Sequence, residues 1–463
     1  MADPDSGHES SQATSERLAA FLGDYPLIDA VDIVLPDLVG IPRGKRFEIN
    51  ELEAALRGEA LFSSTLYAID TTGANVDRSG LVWEEGDADR PIRLDIDTLA
   101  PVPWSETRAQ ILGGLADFDG TPFFADPRAL LRRVAEGFAA HGMRPVTALE
   151  LEFYLLDPEL DAEGMAQVPL SRRLGRRARE SEVYSFDRLS EVDAFLETLQ
   201  HYCTAQDIPA KGAVSEFAPG QFEVNLSHVD DPVTAADHAL LFKRCVKAAA
   251  EATGFRACFM AKPFEEMAGS GLHIHLSLMD GDGRNAFAMG EAGEQLLRHG
   301  IFGLQQVMGE SMLLLAPNAN SYRRLQPLSY APTAPTWGIN NRTVAFRVPA
   351  GPAAAKRIEH RGAGADANPY LATAALFAGV LLGLEQKGDP GPPVTGNAYA
   401  SKTRRTVPTN WAEALEAFET GKLLDTYLGE RFKHLYAACR RAEFDRFEAR
   451  VTPLDFEWYL SAV

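Results

Sequence analysis

Ala148-Leu-Glu-Leu-Glu-Phe153 and Gly271-Leu-His-Ile-His-Leu-Ser277 are the two stretches on which the reading of this chain turns. Side chains on a strand alternate between faces with period two. Glu150 and Glu152 therefore share one face of the first stretch, while Leu149, Leu151 and Phe153 take the other. In the second, His273, His275 and Ser277 share a face. Two neighbouring carboxylates in an otherwise apolar strand repel each other and are costly to bury, and a cation held between them removes that penalty. Glu216-Phe-Ala-Pro-Gly-Gln-Phe-Glu223 adds two glutamates flanking a Pro-Gly turn that can bring them together. Singly, each feature has an ordinary explanation: an exposed edge face for Glu150 and Glu152, a structural pair for the histidines, solvated side chains for Glu216 and Glu223. Together they offer the hard oxygen and nitrogen ligands that Mg2+ and Mn2+ prefer.

Working outward, strands are expected at 146–156, 221–227, 255–261 and 272–279. Helices interleave with them and open on a repeated signal. Asp126 stands as N-cap with Pro127 at the first helical position, and Gly142 follows Leu130–His141. The same start recurs at Asp231–Pro232, running to Gly254, and at Asn368–Pro369, running towards Gly388. This interleaving reads as a large α+β catalytic domain over residues 123–463. Upstream, strands Ile28–Val34 and Lys45–Ile49, a turn at Gly40–Gly44 and a helical turn at Glu51–Leu56 indicate a small β-rich domain over 17–122. Residues 1–16 are polar and expected to be disordered. Arg172, Arg173, Arg176, Arg177 and Arg179 mark 161–183 as a basic surface loop.

The 463 residues carry a formal net charge of −20. An acidic surface repels nucleic acid and anionic lipid and attracts cations, so neither a nucleic-acid nor a membrane partner is expected. Cys203, Cys245, Cys258 and Cys439 show no paired spacing and read as core thiols in a reducing compartment. The N-terminal stretch has neither a basic region nor an apolar run of signal-peptide type. The apolar run Leu371–Leu384 falls short of the roughly 20 residues a bilayer requires and reads as a buried helix. The expected location is the cytoplasm.

Lys262-Pro-Phe264 followed by Ala268-Gly-Ser-Gly-Leu-His273-Ile-His-Leu-Ser277 resembles the ATP-region signature of glutamine synthetases. The LELEF stretch, residues 215–225, Asn340-Asn-Arg-Thr-Val-Ala-Phe-Arg347, Arg357-Ile-Glu-His-Arg361 and Asp366-Ala-Asn-Pro-Tyr370 follow in that family's order. The resemblance covers nearly the whole chain from about residue 25. It implies a β-grasp-like N-terminal domain, a catalytic domain with a curved antiparallel sheet and surrounding helices, and a homo-oligomer of two stacked hexameric rings with sites shared between neighbours. It also implies ATP and glutamate as substrates and two Mg2+ or Mn2+ ions. Glu152, Glu216 and Glu223 would hold one ion, and Glu150, His273 and Glu359 the other. Arg342, Arg347 and Arg357 would contact phosphate, where guanidinium forks match the geometry and stay charged. Arg342, Arg347 and Glu359 would act in catalysis, Arg324, Arg361, Gly269, Glu152 and His273 would bind glutamate, and His275 and Ser277 would line the nucleotide pocket.

The chain departs from the family pattern where ammonium is handled. Ser63 stands near the position of an ammonium-binding aspartate. Tyr330, six residues after Arg324, replaces a closing glutamate, and Ala268 replaces the asparagine before Gly269. An acceptor site without its ammonium trap suits a primary alkylamine, putrescine or a related amine. Tyr330 and Trp337 are candidate aromatic faces for such a cation. Asp70, Glu84 and Glu85, reaching in from a neighbouring subunit, are candidates for the base. The alternatives are an ammonia-using glutamine synthetase and a catalytically silent scaffold. No adenylylation-type context surrounds Tyr399.

Overall fold

The computed structural model describes residues 4–401 and 407–463, with side chains from residue 12. The tail expected to be disordered falls partly outside those residues. Where described, it belongs to helix α1 (Pro4–Asp24). Leu18 is buried, and Phe21 and Leu22 pack on the core at helical spacing, which anchors this end of the helix.

The N-terminal sheet contains β1 (Ala30–Pro36), β2 (Pro42–Glu48), β3 (Leu61–Ser63), β4 (Asp89–Leu94), β5 (Ala100–Pro101) and β6 (Arg108–Leu115), with α2 (Leu52–Leu56) inserted after β2. Its order is β2-β1-β6-β4-β3, with β5 also on β6. Only β1 and β6 run parallel.

The second sheet has eight strands among the described residues. β7 (Arg144–Leu156) follows α3 (Pro127–Glu136), and a short hairpin of β8 (Leu170–Ser171) and β9 (Arg176–Arg177) follows it. Next come α4 (Phe186–Glu191), α5 (Asp193–Ala205), β10 (Ala210–Ser215), β11 (Gln221–Leu226), α6 (Pro232–Ala252), β12 (Arg256–Cys258) and β13 (Leu272–Met279). After α7 (Gly290–Leu315) and α8 (Ala319–Arg324) come β14 (Trp337–Ile339), β15 (Phe346–Val348) and β16 (Ile358–His360). The order is β10-β11-β7-β13-β16-β15-β14, antiparallel apart from β14–β15, with β12 also pairing β7. The C-terminal part is helical: α9 (Pro369–Gln386), α10 (Trp411–Thr420), α11 (Asp425–Leu428), α12 (Glu430–Glu448) and α13 (Pro453–Tyr459). The α+β expectation holds.

The expected Asp-Pro and Asn-Pro helix starts are all present. Asp126, Asp231 and Asn368 each cap a helix through the side chain, with proline in the first turn. One face of β7 is sealed: Leu149, Leu151 and Phe153 have no exposed surface. The Phe153 ring meets those of Phe195, Phe222, Phe242 and Phe259 at centroid distances of 5.6–6.4 Å. The opposite face, with Glu150 and Glu152, is therefore the one left open.

Helices α7 and α9 cross at glycines. A Cβ at Gly303 would lie 1.9 Å from the Gly379 carbonyl oxygen and 2.4 Å from the Gly383 nitrogen, so the two backbones touch. α9 has the length and composition of a membrane span, but 89% of its apolar window is buried within the protein. It is the buried helix anticipated for Leu371–Leu384.

Candidate active site

The open face of the second sheet brings distant residues into register. Directly opposed residues on adjacent strands project from the same face with Cβ atoms about 5 Å apart. Glu152 opposes Glu223, and Glu150 opposes both Asn225 and His273. His275 opposes Glu359, which in turn opposes Arg347. Five strands thus deliver carboxylates, imidazoles and a guanidinium to one patch.

Two sets of donors converge within it. Glu150, His275 and Glu359 offer ligand atoms within 4.8 Å of one another, as do Glu150, Glu223 and His273. His275 Nε2 lies 2.9 Å from Glu150 Oε1 and His273 Nδ1 lies 3.4 Å from Glu150 Oε2. The grouping differs from the one implied by resemblance, since Glu150 bridges both sets and Glu359 sits with His275. Glu152 Oε2 accepts from the Gly271 N–H at 2.7 Å.

The electrostatics are those of an acid cluster short of positive charge. Burial, reinforced by the charges of Glu152 and Glu223, raises the Glu216 carboxyl to about 7. Burial together with Glu150 and Glu152 raises Glu223 to about 8. Burial opposes ionisation of Glu150 too, but hydrogen bonds from His273 and His275 outweigh it and hold the carboxyl far below its usual range. Glu359 is likewise buried, yet the positive field of His273, Arg361, His275 and Arg347 holds it at about 2. Crowded carboxylates beside two imidazoles form a donor set that fits divalent cations.

Arginines ring the patch. Arg347 Nη1 donates to Glu359 Oε2 at 2.7 Å, and Arg361 pairs with the other oxygen of Glu359. Arg324, buried at the end of α8, donates to the Gly362 and Arg361 carbonyls at 3.2 and 3.3 Å. Gly269 and Gly271 make room for it: a Cβ on either would come within 2.7 Å of the Arg324 side chain. The missing Cβ at Gly269 thus admits an arginine. Arg357 Nε donates to His275 Nδ1 at 3.0 Å. Beside them lies a cavity of about 480 Å³ whose lining includes Glu150, Asn225, His275, Ser277, Ala355 and Arg357.

The profile for the glutamine synthetase catalytic domain matches residues 124–459. The chain belongs to the glutamine synthetase family. It is 42% identical to the γ-glutamylputrescine synthetase PuuA of Escherichia coli K12, over 97% of this chain and 95% of that one. It is 36% identical to the γ-glutamylethanolamide synthetase GlnA4 of Streptomyces coelicolor, over 92% and 91% of the two chains. A glutamate–isopropylamine ligase of a Pseudomonas species is 31% identical over 94% and 96%. Among solved structures, GmaS in complex with ADP superposes with a TM-score of 0.83 at 28% identity, covering 96% of this chain and 99% of that one. This chain is accordingly a carbon–nitrogen ligase, and its family implies ATP and a divalent metal.

Within this ligase, Glu150, Glu152, Glu216, Glu223, His273, His275, Glu359, Arg324, Arg347, Arg357 and Arg361 assemble on one face or at its rim. Arg342 is exposed in the turn before β15, outside the lining of the 480 Å³ cavity. Ser63 Oγ bonds to Thr65 and Asp87 within the N-terminal part, and its described contacts do not reach the cluster. Tyr330 is 60% exposed on the loop leaving Arg324.

Trp337 is buried, its indole N–H donating to the Gly391 carbonyl at 3.1 Å, with the Arg298 guanidinium over its ring. It therefore offers no free aromatic face. Asp70 is committed to its own turn, accepting from the Thr72 and Ala74 amides and pairing with Arg446 at 2.5 Å. Glu85 pairs with Arg90 and Arg431. Glu84 is exposed.

Two residues escaped sequence reasoning. Gln221 Nε2 donates to the Gly269 carbonyl at 3.0 Å and faces Glu152 at 3.5 Å. Its place on β11, two residues before Glu223, was the available signal. Tyr399 donates to the Ala331 carbonyl at 2.9 Å, fastening the Tyr330 loop. No local pattern marks that contact.

Proposed function

We propose that this enzyme joins the γ-carboxylate of glutamate to a primary alkylamine, putrescine or a close relative, at the expense of ATP. The observation carrying this reading is that Glu150, Glu152, Glu223, His273, His275, Glu359 and Arg347 stand in register on one sheet face, while the loop after the buried Arg324 carries Tyr330 instead of an acid. The relatives named for putrescine, ethanolamide and isopropylamine chemistry support it.

Glu150, Glu152, Glu216, Glu223, His273 and Glu359 would hold two divalent ions, Mg2+ or Mn2+, with His275 close enough to Glu150 and Glu359 to share in the set. Bound there, the ions would neutralise phosphate charge and steady the acceptor carboxylate. Arg324 and Arg361 would clamp the glutamate carboxylates. Arg342, Arg347 and Arg357 would balance charge on the phosphates, and His275 and Ser277 would line the nucleotide cavity beside Arg357. A γ-carboxylate oxygen attacks the γ-phosphorus and ADP departs, leaving γ-glutamyl phosphate. The neutral amine then attacks the acyl carbon, phosphate leaves, and a base takes the amine proton. Of the three acids considered for that base, Glu84 is the one left without an ion pair among the described residues.

Residues 17–122 would form the N-terminal domain and 123–463 the catalytic one, in two stacked hexameric rings whose neighbours complete each site. A fully active monomer by light scattering would overturn the ring assembly. The acidic surface, the free cysteines and the burial of α9 support a cytoplasmic location.

The test is phosphate release from ATP, glutamate and Mg2+ with ammonium or an amine panel. The expected kcat/KM for a short alkylamine exceeds that for ammonium by about a hundredfold, the discrimination carried by a few alkyl and distal-charge contacts. Ammonium turnover equal to that of every amine would assign the chain to ordinary glutamine synthesis.

A further inference from the structure

The two arginines proposed to clamp glutamate come from separate segments, and hydrogen bonds between those two segments hold them together. Arg324 ends α8, a helix of six residues. So short a helix has little stability of its own and depends on tertiary anchors. Its N-cap, Asn318, accepts from the Asn320 and Ser321 amides, and the Asn318 N–H donates back to Ser321 Oγ. The capping pair has a further partner. Asn318 Nδ2 donates to Asp366 Oδ2 at 2.8 Å, and Ser321 Oγ donates to the same oxygen at 2.7 Å.

Asp366 lies five residues beyond Arg361, in the segment whose carbonyls at Arg361 and Gly362 receive the Arg324 guanidinium. The backbone on either side of Asp366 is pinned as well. Lys243, reaching from α6, donates to the Ala365 carbonyl at 2.6 Å and to that of Ala367 at 3.2 Å. The Ala365 N–H bonds to the Ser270 carbonyl, tying in the glycine strip beside Arg324. Asp366 Oδ1 is buried with no hydrogen-bond partner among the described residues. A Cβ on Gly364 would sit 2.3 Å from it, so that glycine is required for the carboxylate to lie there. A carboxylate is thus kept in a costly place and spends one oxygen on the cap of the helix that bears Arg324.

We propose that Asp366 is a positioning residue that locks Arg324 and Arg361 into a single glutamate-clamping unit. The inference rests on the assignment of those arginines to glutamate. Asp366 touches neither nucleotide cavity nor metal donors, so its loss should act on one substrate.

The experiment compares Asp366→Ala, Asp366→Asn and Ser321→Ala with the wild type, measuring KM for glutamate and for ATP separately. Loss of two hydrogen bonds to a charged acceptor should raise the glutamate KM about tenfold or more, with the ATP KM within about twofold. Asp366→Asn keeps one acceptor oxygen and should recover most of the loss. Ser321→Ala deletes one donor and should raise the glutamate KM by about threefold, which keeps the test decisive if Asp366→Ala fails to fold. Equal rises in both KM values, or an unchanged glutamate KM in the folded variants, would overturn the proposal. The acceptor is whichever amine the wild type turns over, ammonium included, so failure of the alkylamine reading remains a separate result.

Discussion

Under the proposed metal assignment, Glu216 and Glu223 would make metal binding a proton-coupled event. Their carboxyls stand at about 7 and about 8 in the metal-free protein, against an ordinary value of 4.5. A divalent ion binds the ionised forms, so below these values each proton must be displaced first. Treating the two as independent competitors, apparent affinity at pH 6 falls about a hundredfold through Glu223 and about tenfold through Glu216, up to about a thousandfold relative to pH 9. Titration calorimetry of Mn2+ into chelator-treated enzyme, in buffers of differing ionisation enthalpy, reads both affinity and proton release. About two protons per site should leave at pH 6 and almost none at pH 9. The stability sign follows from the same shifts. Folded values raised above the unfolded one favour the metal-free fold below about 4.5, and that contribution is lost as pH rises through about 7 and 8. The rise in melting temperature on adding metal should therefore grow from pH 6 to pH 9. Glu223→Gln should flatten the dependence to about tenfold while weakening binding at pH 9. An affinity that changes less than about tenfold between pH 6 and pH 9 in the wild type, with no proton release, would refute the reasoning.

Phe153→Ala removes a fully buried ring packed against four others and should cost about 3–5 kcal/mol by denaturant titration, leaving the open face of β7 chemically unaltered. Gly303→Val puts side-chain atoms where the α9 backbone lies and should lower stability by about 3 kcal/mol or abolish assembly, whereas Gly281→Ala, with open space around it, should be close to neutral. Tyr330→Glu should raise kcat/KM for ammonium and lower it for alkylamines. No change in that ratio would remove Tyr330 from the acceptor site.

Strand periodicity placed Glu150 and Glu152 on one face and Phe153 on the other, and the Asp-Pro and Asn-Pro starts located α3, α6 and α9, because both signals are local. A residue's face on a strand and a helix cap are determined within a few positions of chain. Family resemblance supplied the order in which the polar strands occur. The long helix α7 went unread, since its crossing with α9 through Gly303, Gly379 and Gly383 depends on a partner about eighty residues away.

What the sequence alone determined was the inventory of this site: the carboxylates, imidazoles and arginines, and the absence of an acid at Tyr330. What only the tertiary structure decided was which of them meet. Register between β11, β7, β13 and β16 made Glu150 the bridge between two donor sets and put Glu359 beside His275. Folding buried Trp337, consumed Asp70 in its own turn with Arg446, and tied the N-terminal cap of α8 to Asp366. Each of these is a pairing between residues far apart in sequence, and such pairings depend on how whole strands and helices dock, which no local pattern of side chains encodes.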